Sequence, residues 1–309
     1  MISKRTGHVS NGLYVCGLAW SPVLLLDCSQ PLLFEAGFAC AARLYEKGIR
    51  AVVGEKRGPG ILFLTHVHWD HCGATSRLKQ AFPDLEVAAS AGAAGIVARP
   101  TAQRRMTELE KTVIPVVGTL DRVDSALLID EPFRPFNVSM VLDDGQIIQV
   151  DGETTVQVLA TPGHTRDHLS YYIPERKILI GGEAAGCLEP SGSISVEFLA
   201  DYDAYLASIE RLRAVPAEVF TQGHHYVFVG RESVKAFLEQ SLKAAEGFAT
   251  RVQELLRAEG GSIERVVSLI KAEQHDPKPG LKQPEEAYLL NLRAQVTHLA
   301  TRKAVISKQ

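Results

Sequence analysis

A histidine-rich stretch, Thr65–Gly73, constrains more than any other feature what this chain can fold into. It reads THVHWDHCG and follows an apolar run, Ile61–Leu64, that is typical of a buried strand. His66 and His68 are two residues apart, so their side chains point the same way on a strand or its exit turn. The stretch therefore predicts that these two imidazoles can share one metal ion.

The second half of the stretch adds a carboxylate and a third imidazole. Asp70 and His71 fall in the turn after the first pair and are free to face a second ion. Imidazole suits zinc, iron and related ions, and a carboxylate compensates part of their charge. The spacing HxHxDH is too specific for a polar surface turn. Cys72 is expected to pack beside the site, because no dedicated base accompanies its thiol.

This motif after a strand resembles the first metal motif of the metallo-β-lactamase superfamily, which includes the glyoxalase II-like hydrolases. Three later positions match the family's further ligands in order, namely His164 in TPGHT, Glu183 at the end of ILIGGE and His224 in TQGH. The resemblance implies two divalent metal ions. The first would be bound by His66, His68 and His164, the second by Asp70, His71 and His224, with Glu183 between them.

The resemblance also implies a reaction. Two such ions, roughly 3.5–4 Å apart, lower the pKa of water toward neutrality and polarise a carbonyl group. Hydrolysis by a metal-bound hydroxide follows, with zinc as the expected metal, iron or manganese as alternatives, and Asp70 and His71 as catalytic residues as well as ligands. The family usually has Asp where this chain has Glu183. The glutamate side chain is longer by roughly one carbon–carbon bond, so whether both metal positions are filled equally stays open.

Three polar residues near the motifs have two interpretations each. His225 is adjacent to His224, and because neighbouring side chains diverge, only one of them is expected to bind metal; the Gly-His register favours His224. His168 either contacts a ligand from behind or lies on the surface. Glu35, at the end of a predicted strand, either holds a ligand histidine by a hydrogen bond or is an ordinary strand-end carboxylate.

Composition restricts the classes of function. With 309 residues, of which 46% are hydrophobic, the chain can bury a large core. A net charge of −3 without a sustained basic patch argues against nucleic-acid binding. The five scattered cysteines favour a reducing compartment. No apolar segment suits a signal peptide or a membrane span, so a cytoplasmic protein without a membrane partner is expected. The sequence leaves a homodimer open.

The order of elements predicts an α/β fold, the αββα metallo-β-lactamase sandwich. Residues 9–36 form a meander of strands, and Phe38–Lys47 is a helix with Gly48 at its C-cap. The segment 91–113 is a helical insertion, and Asp130–Asn137 is a loop whose aromatic residues either line a cleft or pack on the core. Asp143–Gly145 is a hairpin-type turn.

The chain changes character near residue 230, which predicts a metallo-β-lactamase-like domain over 1–230 and a C-terminal helical cap over 231–309. A first helix ends at Gly260-Gly261, Ser262 begins the next, and 277–280 is a break. A last helix runs from Pro284 to about Lys303, with Leu289, Leu292, Val296 and Leu299 facing inward. The cap is expected to cover the metal cleft, although its apolar faces could equally pack elsewhere on the sandwich or on a second subunit.

The substrate class follows only from resemblance. The helical C-terminal segment, DYDAYL before the last motif, and HCG after the first are similar to the aminobenzoylacetyl-CoA thioesterase group of the alkylquinolone pathway. That likeness implies a small-molecule thioester or ester substrate of the acyl-CoA type. A lactonase or other ester hydrolase is one alternative, and a sensor or interaction protein that keeps the metal site without catalysis is another.

Overall fold

The computed structural model describes residues 1–278 and 282–306. Within these ranges it contains sixteen strands and nine α-helices. The strands are β1 (Ile2–Ser3), β2 (Gly7–Ser10), β3 (Leu13–Cys16), β4 (Val23–Leu26), β5 (Leu32–Phe34), β6 (Ile61–Phe63), β7 (Glu86–Ser90), β8 (Met140–Leu142), β9 (Ile147–Gln149), β10 (Thr155–Ala160), β11 (Leu169–Ile173), β12 (Ile178–Gly182), β13 (Cys187–Leu188), β14 (Ile194–Ser195), β15 (Val219–Gln222) and β16 (Val227–Val229). The helices are α1 (Ala42–Val53), α2 (Trp69–Cys72), α3 (Thr75–Ala81), α4 (Ala91–Val97), α5 (Pro100–Val117), α6 (Tyr202–Arg213), α7 (Arg231–Ala258), α8 (Ile263–Gln274) and α9 (Glu285–Ile306).

Two seven-stranded sheets face each other. The first has the order β2-β3-β4-β5-β6-β7-β8 and the second β1-β16-β15-β12-β11-β10-β9. Their inner faces interlock through aromatic rings, since Tyr171 of the second sheet lies 5.8 Å from Phe34 and 5.2 Å from Phe63 of the first, between ring centroids. Helices α1, α3, α4 and α5 pack on the outer face of the first sheet, and α6 to α9 pack on that of the second. The predicted αββα architecture with a C-terminal helical region is confirmed.

Strand direction gathers the functional loops at one edge. β12 and β15 are parallel, and β10 runs the same way because both β10 and β12 are antiparallel to β11. The carboxyl ends of these three strands therefore lie together. The carboxyl end of β6 lies at the same edge, because His66 Nε2 behind it is 3.2 Å from His164 Nε2 behind β10.

The predicted helix end at Gly48 is wrong. Helix α1 continues to Val53, and Gly54, with a φ of 77°, is its C-cap. Gly48 lies inside the helix because a Cβ there would be 3.0 Å from the backbone nitrogen of Gly17 and 3.2 Å from Cys16 Cβ. The glycine thus allows α1 to approach β3 closely. No local sequence signal distinguishes a glycine in this role from one at a helix C-cap.

The structure also decides the predictions for two connecting segments, Asp143–Gly145 and the loop 130–137. Asp143–Gly145 does not form a hairpin, because the flanking strands β8 and β9 belong to different sheets and the turn carries the chain from one to the other. In the loop 130–137, Phe133 is buried and Phe136 packs beside it in the cluster outside the first sheet, with ring centroids 6.3 Å apart. These aromatics therefore pack on the core and do not line the cleft.

The C-terminal helices share an apolar cluster with the outer face of the second sheet. Val296 and Leu299 of α9 are fully buried in it, Leu292 is 2% exposed, and Leu289 packs at its border. Ser262 occupies the N-cap of α8 as predicted, and Pro279 and Gly280 of the predicted break lie outside the described residues. The division into domains 1–230 and 231–309 stays a prediction.

Two general features bear on the setting of the protein. All five cysteines are free thiols. Among the described helices, none combines the length and the apolar character that crossing a bilayer requires.

A buried carboxyl in α5 should make stability depend on pH. Glu110 is 2% exposed, and burial raises its pKa from 4.5 to about 7, although it accepts a 2.5 Å hydrogen bond from the Cys40 N–H. Between these two pH values the folded chain keeps a proton that the unfolded chain has released, so stability falls as pH rises through this window. We expect Glu110→Gln to stabilise the protein by up to about 3 kcal/mol at pH 8 and little at pH 4. Thermal unfolding at both pH values measures this.

The control for this prediction is Glu108→Gln, on the exposed side of the same helix. It should leave the melting temperature nearly unchanged at both pH values. Equal melting temperatures for Glu110→Gln and the wild type at pH 8 would contradict a raised pKa.

Candidate metal centre

The structure brings all seven predicted ligand side chains to one edge of the sandwich. His66 and His68 follow β6, Asp70 and His71 lie in the short helix α2, and His164, Glu183 and His224 follow β10, β12 and β15, respectively. They form two groups, in each of which the potential ligand atoms lie within 4.8 Å of one another: His66, His68, His164 and Glu183 in the first, and Asp70, His71 and His224 in the second. Their role as metal ligands stays a prediction.

Three imidazole nitrogens of the first group face one point. His164 Nε2 lies 3.2 Å from His66 Nε2 and 3.0 Å from His68 Nδ1. The same nitrogen is 2.8 Å from Glu183 Oε2. One proton cannot satisfy three nitrogens and a carboxylate at once, whereas a cation among them can.

Backbone carbonyl groups set the orientation of two imidazoles. His164 Nδ1 donates to the Glu197 carbonyl oxygen at 2.5 Å, and His224 Nδ1 donates to that of Trp20 at 2.7 Å. A carbonyl oxygen only accepts, so Nδ1 carries the hydrogen in both rings and the neutral ring keeps its lone pair on Nε2. Both Nε2 atoms face the centre of the site, which is the tautomer that metal binding requires.

His71 is held from behind by Glu35. Its Nδ1 lies 3.4 Å from Glu35 Oε2, and Thr65 Oγ1 donates to the other carboxylate oxygen. Glu35 adopts a left-handed φ of 63°, a strained backbone conformation for this residue that the surrounding contacts maintain. The position supports the interpretation that Glu35 orients a ligand histidine. His71 Nε2, on the other side of the ring, is buried without a hydrogen-bond partner, as expected for an atom that binds a cation.

Glu183 lies between the two groups. Its Oε2 is 3.5 Å from His66 Nε2 and 3.6 Å from His71 Nε2, while its Oε1 is 3.3 Å from His224 Nε2. The longer side chain is accommodated by Gly223, where a Cβ would lie only 2.7 Å from Glu183 Cγ. The carboxylate therefore lies within 3.6 Å of histidines of both groups, and equal filling of the two metal positions stays open.

A second glycine positions His164. Gly163 has a φ of 130°, and a Cβ there would lie 2.4 Å from the backbone nitrogen and Cα of Tyr205 at the start of α6. The carbonyl oxygen of Gly163 accepts from the backbone N–H groups of Leu199, Ala200 and Asp201 at 3.0–3.2 Å. The close approach of α6 thus fixes the loop that carries His164.

The charges in the site are strongly coupled. Burial lowers the pKa of His68 to about 4. Burial also opposes the charged forms of His164 and His224, but the Glu183 carboxylate outweighs it and raises their pKa values to about 9 and about 10. Despite burial, these imidazoles hold the pKa of Glu183 well below its usual range. A divalent cation would take the place of the protons that these pKa values favour.

The residues present fit divalent cations. Converging nitrogens, Nε2 lone pairs that face the centre, an unpartnered His71 Nε2 and a central carboxylate are together the donor set that a metal ion needs. Imidazole and carboxylate ligands are compatible with zinc, iron and manganese, so the geometry does not select among them.

The other residues near the motifs do not belong to either group. His168 is buried, its Nδ1 is 2.9 Å from Thr161 Oγ1, and its Nε2 accepts the Glu183 N–H at 3.3 Å, so the surface interpretation is wrong. His225 donates its backbone N–H to Ala19, and burial lowers the pKa of its ring to about 3. Burial raises the pKa of the Cys72 thiol well above its usual value, which disfavours a thiolate nucleophile.

Members of both groups line a cavity of about 130 Å³, here called the catalytic cavity. His68, Asp70, Glu183 and His224 line it together with Trp20, Phe38 and Trp69 and with 282–284, Ala287, Leu290 and Asn291 from the C-terminal segment. Helix α9 therefore reaches the metal cleft, as the predicted cap requires. The face of α9 that lines the cavity carries Leu290. Leu289 and Leu292 instead pack in the cluster on the second sheet.

Sequence reasoning missed several residues of the site. Gly163 and Gly223 each precede a ligand histidine, and this repeated Gly-His pair could have revealed both close contacts. Glu197 orients His164 through a backbone carbonyl, which any residue type supplies, so no sequence signal marks it. Leu290 is 47% exposed and does not fit the apolar periodicity of α9.

A family profile described as the Metallo-beta-lactamase superfamily matches residues 21–224. The chain belongs to this superfamily, and the family and fold predicted from its sequence are confirmed. Among solved structures, a metallo-beta-lactamase family protein from Thermus thermophilus aligns with a TM-score of 0.61 over 95% of this chain and 93% of its own, at 19% identity. At that identity the likeness shows the fold alone.

Two curated relatives are named for a hydrolase and a thioesterase. The hydroxyacylglutathione hydrolase of Thermosynechococcus vestitus is 31% identical over 157 residues, which are 51% of this chain and 45% of that protein. The atrochrysone carboxyl ACP thioesterase of Aspergillus fumigatus is 23% identical over 163 residues, which are 53% of this chain and 37% of that protein. The match thus spans less than half the length of either relative.

Proposed function

We propose that this chain is a metal-dependent hydrolase that cleaves thioesters of the acyl-CoA type. The observation that carries the proposal is the convergence of seven ligand-type side chains, four of which line a cavity that α9 partly covers. Membership of the superfamily supports the coarser assignment, a metal-dependent hydrolase. The thioester is the finer step and rests on the arguments below.

Hydrolysis adds the hydroxyl of water to the acyl carbon, breaks the C–S bond and releases the thiol with the remaining proton. Bound divalent ions would lower the pKa of that water toward neutrality and polarise the carbonyl. Asp70, whose Oδ2 is 3.5 Å from His224 Nε2, is proposed to hold the proton of the water, and His71 is kept in place for the same centre by Glu35. A thiolate leaves without a strong general acid, so the chain needs no further proton donor beside the leaving group.

The relatives support a thioester. One is named for the hydrolysis of acylglutathione, which is a thioester, and the other is named a thioesterase that acts on a carrier protein. The likeness of DYDAYL and HCG to the aminobenzoylacetyl-CoA thioesterase group predicts a thioester with an aromatic or acyl group. These arguments favour an acyl thioester over a lactone.

The test is a substrate panel with protein loaded with zinc, iron(II) or manganese(II). Thiol release would be measured for benzoyl-CoA, hexanoyl-CoA and S-lactoylglutathione, and acid release for a matched lactone and an oxygen ester. We expect kcat/KM to be highest for a CoA thioester and to vanish on treatment with a chelator. A lactone or oxygen ester that is cleaved faster than every thioester would identify a different hydrolase, and metal binding without turnover of any substrate would favour the sensor.

The remaining assignments rest on the sequence alone. A cytoplasmic location, the absence of nucleic-acid and membrane partners and a homodimer stay predictions.

A further inference from the structure

Two further cavities adjoin the catalytic cavity and share lining residues with it, including residues of α9. The first, here called the apolar groove, has a volume of about 270 Å³ and shares His68, Trp69, Leu109 and Leu290 with the catalytic cavity. The second, here called the polar chamber, has a volume of about 510 Å³ and shares Ser195, Glu197, Gln283 and Asn291 with it. A bound molecule could therefore extend from the metal centre in two directions.

The apolar groove is suited to a hydrocarbon group. Apart from its shared residues it is lined mainly by Val67, Ile96, Ala102 and Met106, with Arg105, Thr165 and Asp167 as its polar members. Burying apolar substrate surface against these side chains contributes roughly 25 cal/mol per Å². A polar chain would lose its hydration there without recovering the hydrogen bonds.

The polar chamber is suited to a neutral chain with hydrogen-bonding groups. Its lining combines apolar residues such as Ile194, Val196, Phe248 and Leu292 with hydroxyl and amide side chains, namely Ser191, Ser193, Gln274, Gln283, Tyr288, Asn291 and Gln295. The Tyr288 hydroxyl is buried without a hydrogen-bond partner, and burial raises its pKa, so it remains a hydrogen-bond donor at neutral pH. Because the Tyr288 side chain lines the chamber, we infer that a bound ligand would complete the hydrogen bond of this hydroxyl.

The charges of the polar chamber disfavour a carboxylated chain. Arg251 donates to both carboxylate oxygens of Glu273, one of them at 3.1 Å from Nε, and Lys278 pairs with Glu189. Among the described residues that line the chamber, neither the arginine nor the lysine thus lacks a carboxylate partner. A ligand carboxylate would have to break one of these pairs, whereas an amide would not.

Helix α9 separates the two cavities with consecutive residues. Leu290 lines the apolar groove and Asn291 lines the polar chamber, because successive side chains of a helix point about 100° apart. Both also line the catalytic cavity, so each marks the start of one path from the metal centre.

We propose that a thioester binds across α9, with its acyl or aryl group in the apolar groove and a neutral, amide-bearing thiol arm of the pantetheine type in the polar chamber. This inference rests on the proposed thioesterase function and adds the orientation of the substrate and the cavity that receives each of its two arms. Coenzyme A and an acyl carrier protein both present a pantetheine arm, so both satisfy it.

Binding of uncleavable thioethers tests the orientation independently of turnover. Dissociation constants would be measured by calorimetry for S-hexylpantetheine, S-hexylglutathione and hexyl methyl sulfide. We expect S-hexylpantetheine to bind at least about ten-fold more tightly than either of the others. Equal or tighter binding of S-hexylglutathione would overturn the neutral arm even if the protein proves to be a thioesterase, whereas failure of the substrate panel alone would overturn only the proposed reaction.

Two variants assign the arms to their cavities. Tyr288→Phe removes only the unpartnered hydroxyl. It should weaken the binding of S-hexylpantetheine about five-fold, the effect of one neutral hydrogen bond, and leave the binding of hexyl methyl sulfide unchanged. Leu290→Ala should weaken the binding of hexyl thioethers relative to methyl thioethers by about five-fold, irrespective of the thiol arm that they carry. Tyr14→Phe, on β3 away from the three cavities, is the matched control and should change neither constant. Effects that are reversed between Tyr288 and Leu290, or absent in both, would overturn the proposal.

Kinetics then distinguish the two sources of pantetheine. The same acyl group would be presented on coenzyme A and on an acyl carrier protein, and the source with the higher kcat/KM is the better substrate. Tyr288→Phe should raise KM about five-fold for that substrate with kcat nearly unchanged. An unchanged KM with both would contradict a pantetheine arm at Tyr288.

Discussion

Replacing His68 by Ala is expected to abolish nearly all hydrolysis while the fold is kept. His68 Nδ1 lies 3.0 Å from His164 Nε2, and the side chain is only half-buried in a loop, so its loss removes a ligand atom and little packing. Removal of a residue that merely orients a ligand commonly costs about 10–100-fold in metal affinity or activity, and loss of the ligand itself should cost more. We therefore expect kcat/KM for the best substrate to fall by more than about 100-fold.

Three measurements on the variant separate the causes. Turnover is measured with the best thioester, metal content by elemental analysis, and the fold by circular dichroism. His8→Ala, which removes an imidazole from β2 far from the metal centre, should retain full activity and metal content. Full turnover by His68→Ala with no bound metal would rule out the proposed mechanism.

The fold and the convergence of the seven candidate ligands could be predicted because their signals are local. HxHxDH places four side chains within six residues after a strand. The later Gly-His pairs and Glu183 likewise directly follow apolar runs that are typical of strands. Strand and helix periodicity then gives the two layers, since each apolar face must be covered. The same periodicity identified Val296 and Leu299 of α9 as core residues.

What could not be predicted depends on contacts between distant segments. The role of Gly48 is set by its approach to β3, and the role of Asp143–Gly145 by the assignment of its two flanking strands to different sheets. Leu290 carries no signal of its own, because an exposed leucine on a helix is ordinary and only the position of α9 beside the metal centre gives it a function. Similarly, Glu183 is longer than the Asp that is usual in the family, and the compensating space at Gly223 lies forty residues further along the chain.

That compensation leads to the second large expected effect, a loss of metal in Gly223→Ala. The added Cβ would lie 2.7 Å from Glu183 Cγ and 3.0 Å from His71 Cε1, and both distances are shorter than ordinary contacts. Both side chains are buried, and His71 is held from behind by Glu35, so neither can move freely. Overpacking of this kind costs about 1–3 kcal/mol, and here it acts on two predicted ligands at once.

We expect Gly223→Ala to lower metal content after dialysis and to reduce kcat/KM by at least about ten-fold, which corresponds to the lower part of that range. Gly95→Ala is the matched control, because Gly95 lies in helix α4 with no atom within 4 Å of the added Cβ, so it should leave metal content and activity unchanged and slightly favour the helix. Glu183→Asp provides the complementary test. A side chain shorter by one carbon–carbon bond, about 1.5 Å, should no longer reach both His164 and His224, so it should also lower metal content. Undiminished metal in both Gly223→Ala and Glu183→Asp would mean that the Glu183 carboxylate does not link the two groups, because neither crowding nor shortening it would then affect the site.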